Sequence, residues 1–316
     1  MSELFFSYEE QRPRLLVTVA TGKNYLERWK KNALPSWKTY ADAHNFGIMA
    51  LSESLVPNDA HAGWNKFKML AQLKTRISAD SGLVIMDADQ VISPLAPDLT
   101  GFFAEEKFGV VPEHYGRYQK LLSFLRQAHL DPQYPLDSYL LATPEMSYRE
   151  TDFPELQSLR FYSAGLIIVP SSLRDSLEAF SDYGPEDKSA RLDGGGDQIP
   201  FLKFLNKSSI LPLPAEWQGI WPQILAVRYP FLYANPDRKL AAYALASALA
   251  DFHCVHFATT WPEKDFWDID FRPAWNEIFE SGRNPINLRE YIESSVSPRI
   301  YGQIRSPDSF FPKAGD

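Results

Sequence analysis

Cysteine is nearly absent. Cys254 is the only one in 316 residues, so no intramolecular disulfide can form and zinc sites built from four thiolates are excluded. Basic residues are outnumbered, 32 Lys and Arg against 40 Asp and Glu, for a formal net charge of −8. Broad binding to nucleic acid needs the opposite balance, because it leans on cations that neutralise phosphates. A single phosphorylated small molecule is still within reach, since a bound cation or a local lysine can supply positive charge. No run approaches the roughly 18 apolar residues of a membrane-spanning helix. The stretch Met1–Arg14 is polar and acidic apart from Leu4-Phe5-Phe6, and it lacks the basic and long apolar regions of a signal peptide. The expectation is a cytoplasmic, reducing location without a membrane span; peripheral association with a membrane stays compatible with it. No internal repeat or low-complexity segment is visible.

What is present is the balance of a globular protein, 45% apolar and 23% charged, over a length that suits one large domain or one and a half. Eight Trp stand out; most are expected in the core, and some as platforms for the C–H face of a sugar. Periodicity then sets the elements. Leu15–Ala20 (LLVTVA) reads as a strand ending at Thr21-Gly22, and Tyr25–Asn32 as a helix interrupted by Pro35. Trp37, Tyr40, Ala41 and His44 fall on one face of a second helix, and Phe46–Leu51 forms the next strand. A helix is expected over Trp64–Ala79, with Phe67, Leu70, Ala71 and Lys74 on one side. Strands follow at Leu83–Met86, Phe108–Val111, Ser163–Val169, Ile210–Leu213 and Cys254–Phe257. Helices are expected over Arg117–Leu130, Ser171–Phe180, from Gln198, over Arg238–Phe252 and around Leu288–Ser294. Gln133–Leu159 is a Pro-rich connection, and Gly194-Gly195-Gly196 a flexible one. Strands alternating with helices through the first hundred residues imply an α/β layer fold with a mostly parallel sheet.

The apolar run Leu83–Met86 leads straight into Asp87-Ala88-Asp89. Ligands of open α/β sheets bind beyond the carboxyl ends of strands. A D-x-D pair there can hold a hard divalent cation that bridges the phosphates of a sugar nucleotide. The blander reading is a helix cap or a solvated turn. A second such triplet, Asp268-Ile269-Asp270, has no apolar strand before it and reads as background.

With these stretches in hand the chain resembles the GT-A glycosyltransferases, above all the retaining family eight of glycogenin and the lipopolysaccharide galactosyltransferases. LVIMDADQVISPL is similar to that family's metal-binding D-x-D, FYSAGLIIVP to its F-N-A-G strand, GGGDQIPFLKFLN to its D-Q-D-x-L-N, and CVHFATTWPEK to its H-F/Y-x-G-x-x-K-P-W. Two departures are plain: Ser163 stands for the Asn, and the nearest Lys after His256 is Lys264, two places late with no Gly between. The resemblance covers about residues 15 to 265. It implies a GT-A (Rossmann-like) domain over 1–265, with 266–316 as a C-terminal extension packed on it or serving acceptor binding. It implies Asp87, Asp89 and His256 as ligands of Mn²⁺ (or Mg²⁺), a mixed oxygen and nitrogen set that suits Mn²⁺ better. Strand alternation alone does not choose between His253 and His256; the resemblance chooses His256.

For the donor, a UDP-sugar, the resemblance implies Ala20, Thr21 and Tyr25 at the end of the first strand, with Tyr25 stacking on the base, and Lys66, Ala88, Ser163 and Lys264 along ribose, diphosphate and sugar. Asp197 and Gln198 would face the donor sugar. The acceptor would be a glycan or a lipid-linked hydroxyl. Three alternatives stand beside a retaining transferase: an inverting one with Asp197 as base, a non-catalytic carbohydrate-binding relative, and a pyrophosphorylase. The last is disfavoured because Ala20-Thr21-Gly22 is not followed by a glycine-rich, basic phosphate loop.

Overall fold

The computed structural model describes residues 4–112, 119–133, 160–188, 196–258 and 262–280. The chain divides into two compact units, Met1–Asp270 and Phe271–Asp316. In the second, the described part is a helical turn Arg272–Trp275 continued by a π-helical turn Asn276–Glu280. The helix expected around Leu288–Ser294, most of the Gln133–Leu159 connection, and Gly194 and Gly195 lie outside the described residues.

The first unit is built on ten described strands: β1 Phe5–Tyr8, β2 Arg14–Val19, β3 Phe46–Leu51, β4 Gly82–Met86, β5 Gln90–Ile92, β6 Phe108–Pro112, β7 Tyr162–Val169, β8 Ile210–Pro212, β9 Gly219–Ile220 and β10 Cys254–His256. Seven of them form one sheet in the order β1-β3-β2-β4-β7-β6-β8. The pairs β2–β3, β2–β4 and β6–β8 are parallel; β1–β3, β4–β7 and β6–β7 are antiparallel. The fold is thus the expected α/β layer, but the sheet is evenly mixed, three parallel pairs and three antiparallel, rather than mostly parallel, because β1 and β7 run against their neighbours. Every residue of β3, β4 and β7 is buried, which is why these strands read as unbroken apolar runs. β1, Phe5–Tyr8, is not among the strands expected from periodicity. The apolar Leu4-Phe5-Phe6 patch carries its signal, with Phe5 buried and paired with Leu51 on the sheet edge.

Helices fill the crossovers: α1 Lys23–Asn32, α2 Leu34–His44, α3 Asn65–Leu73, α4 Gln119–His129, α5 Arg174–Tyr183, α6 Gln198–Leu205, α7 Trp221–Arg228 and α8 Arg238–Asp251. Pro35 sits in the first turn of α2, where its missing N–H costs nothing. The expected face is buried at Trp37, Tyr40 and Ala41, and His44 packs on Tyr40 with ring centroids 4.5 Å apart. α3 ends at Leu73 rather than Ala79. Its inward face is also turned from the expected one: Lys66, Phe67, Met69, Leu70 and Leu73 are buried, while Ala71 and Lys74 are exposed. The reason is charge. The Lys66 ammonium has acidic partners inside, and Lys74 has Asp175 and Glu178 of α5 outside. Phe67 meets Phe180 of α5 and Phe201 of α6 at 5.0 and 5.2 Å, joining three helices in one aromatic cluster.

The remaining strands form a small second sheet, β5-β10-β9. β10 runs antiparallel to β5, with His256 opposite Gln90, and parallel to β9, with His256 opposite Ile220. Trp37 locks this sheet to α2: its indole N–H donates to the Gln90 carbonyl at 2.8 Å. No helix among the described residues is long and apolar enough to cross a membrane.

Trp37 is fully buried and lies edge-on to Trp29 at 5.8 Å. Trp37→Ala should lower the unfolding free energy by about 3–5 kcal/mol, the usual cost of deleting a buried aromatic. Urea denaturation followed by circular dichroism checks it, and a loss under about 1 kcal/mol would contradict this role in the core.

Candidate functional site

Backbone pairing builds the site before any side chain does. β4 ends at Met86, and the Asp87 N–H donates to the Gly165 carbonyl of β7 at 3.0 Å. Three residues on, β5 begins and pairs with β10, while the Phe257 N–H donates to the Asp89 carbonyl at 2.9 Å. Asp89 and His256 are thereby held side by side by main-chain bonds. His256 Nε2 lies 3.2 Å from Asp89 Oδ1 and 3.6 Å from Asp87 Oδ2. One ligand atom from each of Asp87, Asp89 and His256 can lie within 4.8 Å of the other two. His253 goes elsewhere. It precedes β10, its N–H donates to the Glu216 carbonyl, and its ring packs on Trp217 at 5.1 Å. Burial lowers the pKa of His253 against the opposing charge of Glu216.

Two lysines balance the acids. Lys66 Nζ reaches Asp87 Oδ1 at 3.1 Å, Asp197 Oδ2 at 3.2 Å and the Ala164 carbonyl at 3.1 Å. Burial works against its charge, but Asp197 and Asp87 outweigh that and hold its pKa above the ordinary lysine value. Lys264 Nζ sits 2.8 Å from Asp89 Oδ2. Burial would push the Asp89 carboxyl up, yet His256 and Lys264 together hold it below the usual carboxylate range. Three carboxylates thus face two ammonium groups and an imidazole, and Asp87 is the most open of the acids at 33% side-chain exposure. An O, O, N donor set with an open flank fits a divalent cation of the Mn²⁺ kind.

These groups line a cleft of about 590 Å³. Of the residues proposed from the sequence, Thr21, Tyr25, Lys66, Asp87, Ala88, Asp89, Ser163, Asp197, Gln198, His256 and Lys264 all line it, and Ala20 does not. Ala20 is fully buried and its N–H donates to the Leu51 carbonyl. Strand alternation turns it inward while Val19 and Thr21 face the cleft. Tyr25 packs on Trp267 at 5.6 Å. Burial, with the charges of Asp89 and Asp87, raises its pKa, so it is a neutral phenol. Ser163 Oγ accepts the Gly165 N–H at 3.0 Å. Gln198 donates to the Tyr162 carbonyl at 2.7 Å, so its carboxamide ties α6 to β7 as well as facing the cleft.

Sequence reasoning missed His61 and Gly63, which also line the cleft. His61 Nδ1 lies 3.8 Å from Asp197 Oδ1 and accepts the Gly63 N–H. It missed Gln218, whose amide lies against His256. None of these sits in a periodic pattern, so only the fold reveals them. Asp268, set aside as background, is structural: it takes Arg28 at 2.8 and 2.9 Å and Asn32 at 2.6 Å. It thereby ties the 3-10 helix Pro262–Asp268, which carries Lys264, to α1.

No family model matches the sequence, and no curated protein does. Solved structures do align. A glycosyltransferase involved in glycosylation of the major capsid of PBCV-1 is 10% identical, over 81% of this chain and 99% of its own, with a TM-score of 0.46. The galactosyltransferase LgtC, solved in complex with donor and acceptor sugar analogs, is 11% identical over 81% of this chain and 94% of its own, with a TM-score of 0.42. The glycosyltransferase GlyE of Streptococcus pneumoniae TIGR4 is 11% identical over 84% of this chain, which spans just 64% of GlyE, with a TM-score of 0.43. At such identities and scores, what the cleft can do is set by its own side chains.

Lys66 is the joint of the site. Lys66→Met leaves Asp87 and Asp197 facing each other without a cation, and the loss should be about 3 kcal/mol, as for breaking a buried ion pair. Adding Asp197→Asn should restore part of it. A double-mutant cycle by urea denaturation measures the coupling; strictly additive losses would deny the pairing.

Proposed function

We propose that this chain is a cytoplasmic glycosyltransferase that moves a hexose from a nucleotide-diphosphate sugar, a UDP-sugar first of all, to a hydroxyl of a glycan or lipid-linked acceptor. The observation that supports this is the Asp87, Asp89 and His256 group, with Lys66 and Lys264 beside it in one cleft. Asp87, Asp89 and His256 would hold a divalent ion, Mn²⁺ before Mg²⁺, which would supply positive charge against that of the leaving diphosphate. Lys264 can exchange its contact with Asp89 for a phosphate oxygen. Tyr25, in the first turn of α1, offers an uncharged ring for the base. Asp197 Oδ2 is buried and held by the Lys66 ammonium at 3.2 Å. Asp197 lines the cleft at the start of α6, where its carboxylate can face the donor sugar.

In this reading the configuration is retained. The acceptor hydroxyl attacks on the face the diphosphate leaves from and gives its proton to the departing phosphate, so no side chain need act as nucleophile. The side chains orient the partners and stabilise charge. A second reading makes Asp197 the base of an inverting reaction, since its carboxylate lines the same cleft as Asp87 and Asp89. The anomeric configuration of the product, read by NMR, decides between them.

UDP should bind more tightly when Mn²⁺ is added, measured by calorimetry; equal affinity in EDTA would sink the metal-dependent reading. Asp87→Ala and Asp89→Ala should each cut transfer or donor hydrolysis by about a hundredfold or more while leaving the circular dichroism spectrum unchanged.

A further inference from the structure

Behind His256 lies a buried chain of polar groups that the reaction above does not use. His256 turns Nε2 to the carboxylates, and its Nδ1 lies 2.5 Å from Gln218 Nε2. Gln218 ends the 3-10 turn Ala215–Gln218, directly before β9, and the parallel pairing of Gly219 with Val255 fixes its place. Gln218 Oε1 is 3.4 Å from Gln90 Nε2, which also donates to the Gly165 carbonyl at 2.7 Å. Gln90 Oε1 accepts from the Cys254 thiol at 3.2 Å. Space here is exact to a methyl group. A Cβ on Gly165 would lie 2.8 Å from Gln218 Nε2 and 2.9 Å from both Gln90 Nε2 and His256 Cε1.

The chain has a direction. The Gly165 carbonyl can only accept, so Gln90 must show it an NH₂. That NH₂ requires an oxygen from Gln218, and Gln218 is left with its own NH₂ toward His256. In a neutral ring Nδ1 then accepts, and the ring proton sits on Nε2, pointing at Asp89. In that tautomer Nε2 has no lone pair to offer a cation. Ligation through Nε2 needs the proton on Nδ1 and an acceptor in front of it. A half-turn of the Gln218 amide supplies one. It gives up the 3.4 Å contact with Gln90, the longest in the chain, and sets the two NH₂ groups face to face.

We propose that Gln218 is the positioning residue of His256, and that its amide has two settings. With NH₂ toward Nδ1 it holds the metal-free tautomer; with Oε1 toward Nδ1 it holds the ligating one. The ring loses a proton from Nε2 and gains one on Nδ1, with no net gain or loss. Gln90 does not turn, because the Gly165 carbonyl fixes it, and the strain of two NH₂ groups face to face returns Gln218 when Nε2 is free. This inference rests on the metal reading of Asp87, Asp89 and His256.

Two measurements test it. The first is the nitrogen-15 spectrum of the histidine side chains, metal-free and with Zn²⁺ as a diamagnetic probe. His256 should be protonated on Nε2 without metal and on Nδ1 with it. The second is calorimetric titration with Mn²⁺ alone. Gln218→Leu should bind at least about tenfold more weakly than wild type, the usual cost of losing the partner of a ligating histidine. Gln218→Glu, an acceptor without a turn to make, should bind at least as tightly as wild type. Wild-type Mn²⁺ binding with unchanged affinity in Gln218→Leu overturns the role of Gln218 alone, as does a metal-free His256 protonated on Nδ1. Absence of Mn²⁺ binding in the wild type overturns the metal reading and the two settings with it. If Gln218→Leu does not fold, a Gln218→Glu protein that binds Mn²⁺ more weakly than wild type overturns the proposal equally well.

Discussion

Three carboxylates in one cleft repel one another, and much of the first unit is arranged to hold them there. Asp87 and Asp89 come from the end of β4, and Asp197 from the start of α6. Lys66 of α3 bridges Asp87 and Asp197, and Lys264 and His256 share Asp89. Like charges this close stay ionised together only with cations between them. That need explains a lysine on the inner face of α3, where an aliphatic residue would otherwise sit. It also gives Asp268 its purpose. By gripping Arg28 and Asn32 it keeps the short helix of Lys264 against α1, so a salt bridge outside the cleft sets the position of a cation inside it.

The reversed strand β7 makes this convergence geometrically simple. In an all-parallel sheet only carboxyl ends reach the ligand-binding rim. Because β7 runs antiparallel between β4 and β6, its beginning lies beside the end of β4, with Leu166 opposite Met86. Ser163, Ala164 and Gly165 therefore enter the same rim as Asp87. The Gly165 carbonyl serves both sides, accepting the Asp87 N–H and the Gln90 amide.

What the sequence made legible was the part governed by apolar pattern. β3 and β4 are unbroken hydrophobic runs, so their ends were clear, and Asp87 and Asp89 stood out as charges at such an end. Tyr25, Lys66, Asp197 and Lys264 gathered in one cleft because short stretches in order carried them, not because periodicity did. Local pattern failed where the decisive partner lay far away. Lys66 is buried because of Asp197, more than a hundred residues on, so the face of α3 was read a notch off. Ala20 belongs to a strand end, but its side of the strand depends on β3. Gln90 and Gln218 look like any glutamine until β10 lies between β5 and β9.

That central position of β10 bears on the order of assembly. β10 pairs with strands that precede it by about 165 and 35 residues, and pairings across long separations form late because the loop must close first. During synthesis Asp87, Asp89, Asp197 and Lys66 are all made before either Lys264 or the third candidate ligand, His256. A chain halted before residue 254 has the acids but neither of these two partners. The finished site is thus coupled to near-complete synthesis of the first unit, and an unfinished chain offers a divalent ion only carboxylates.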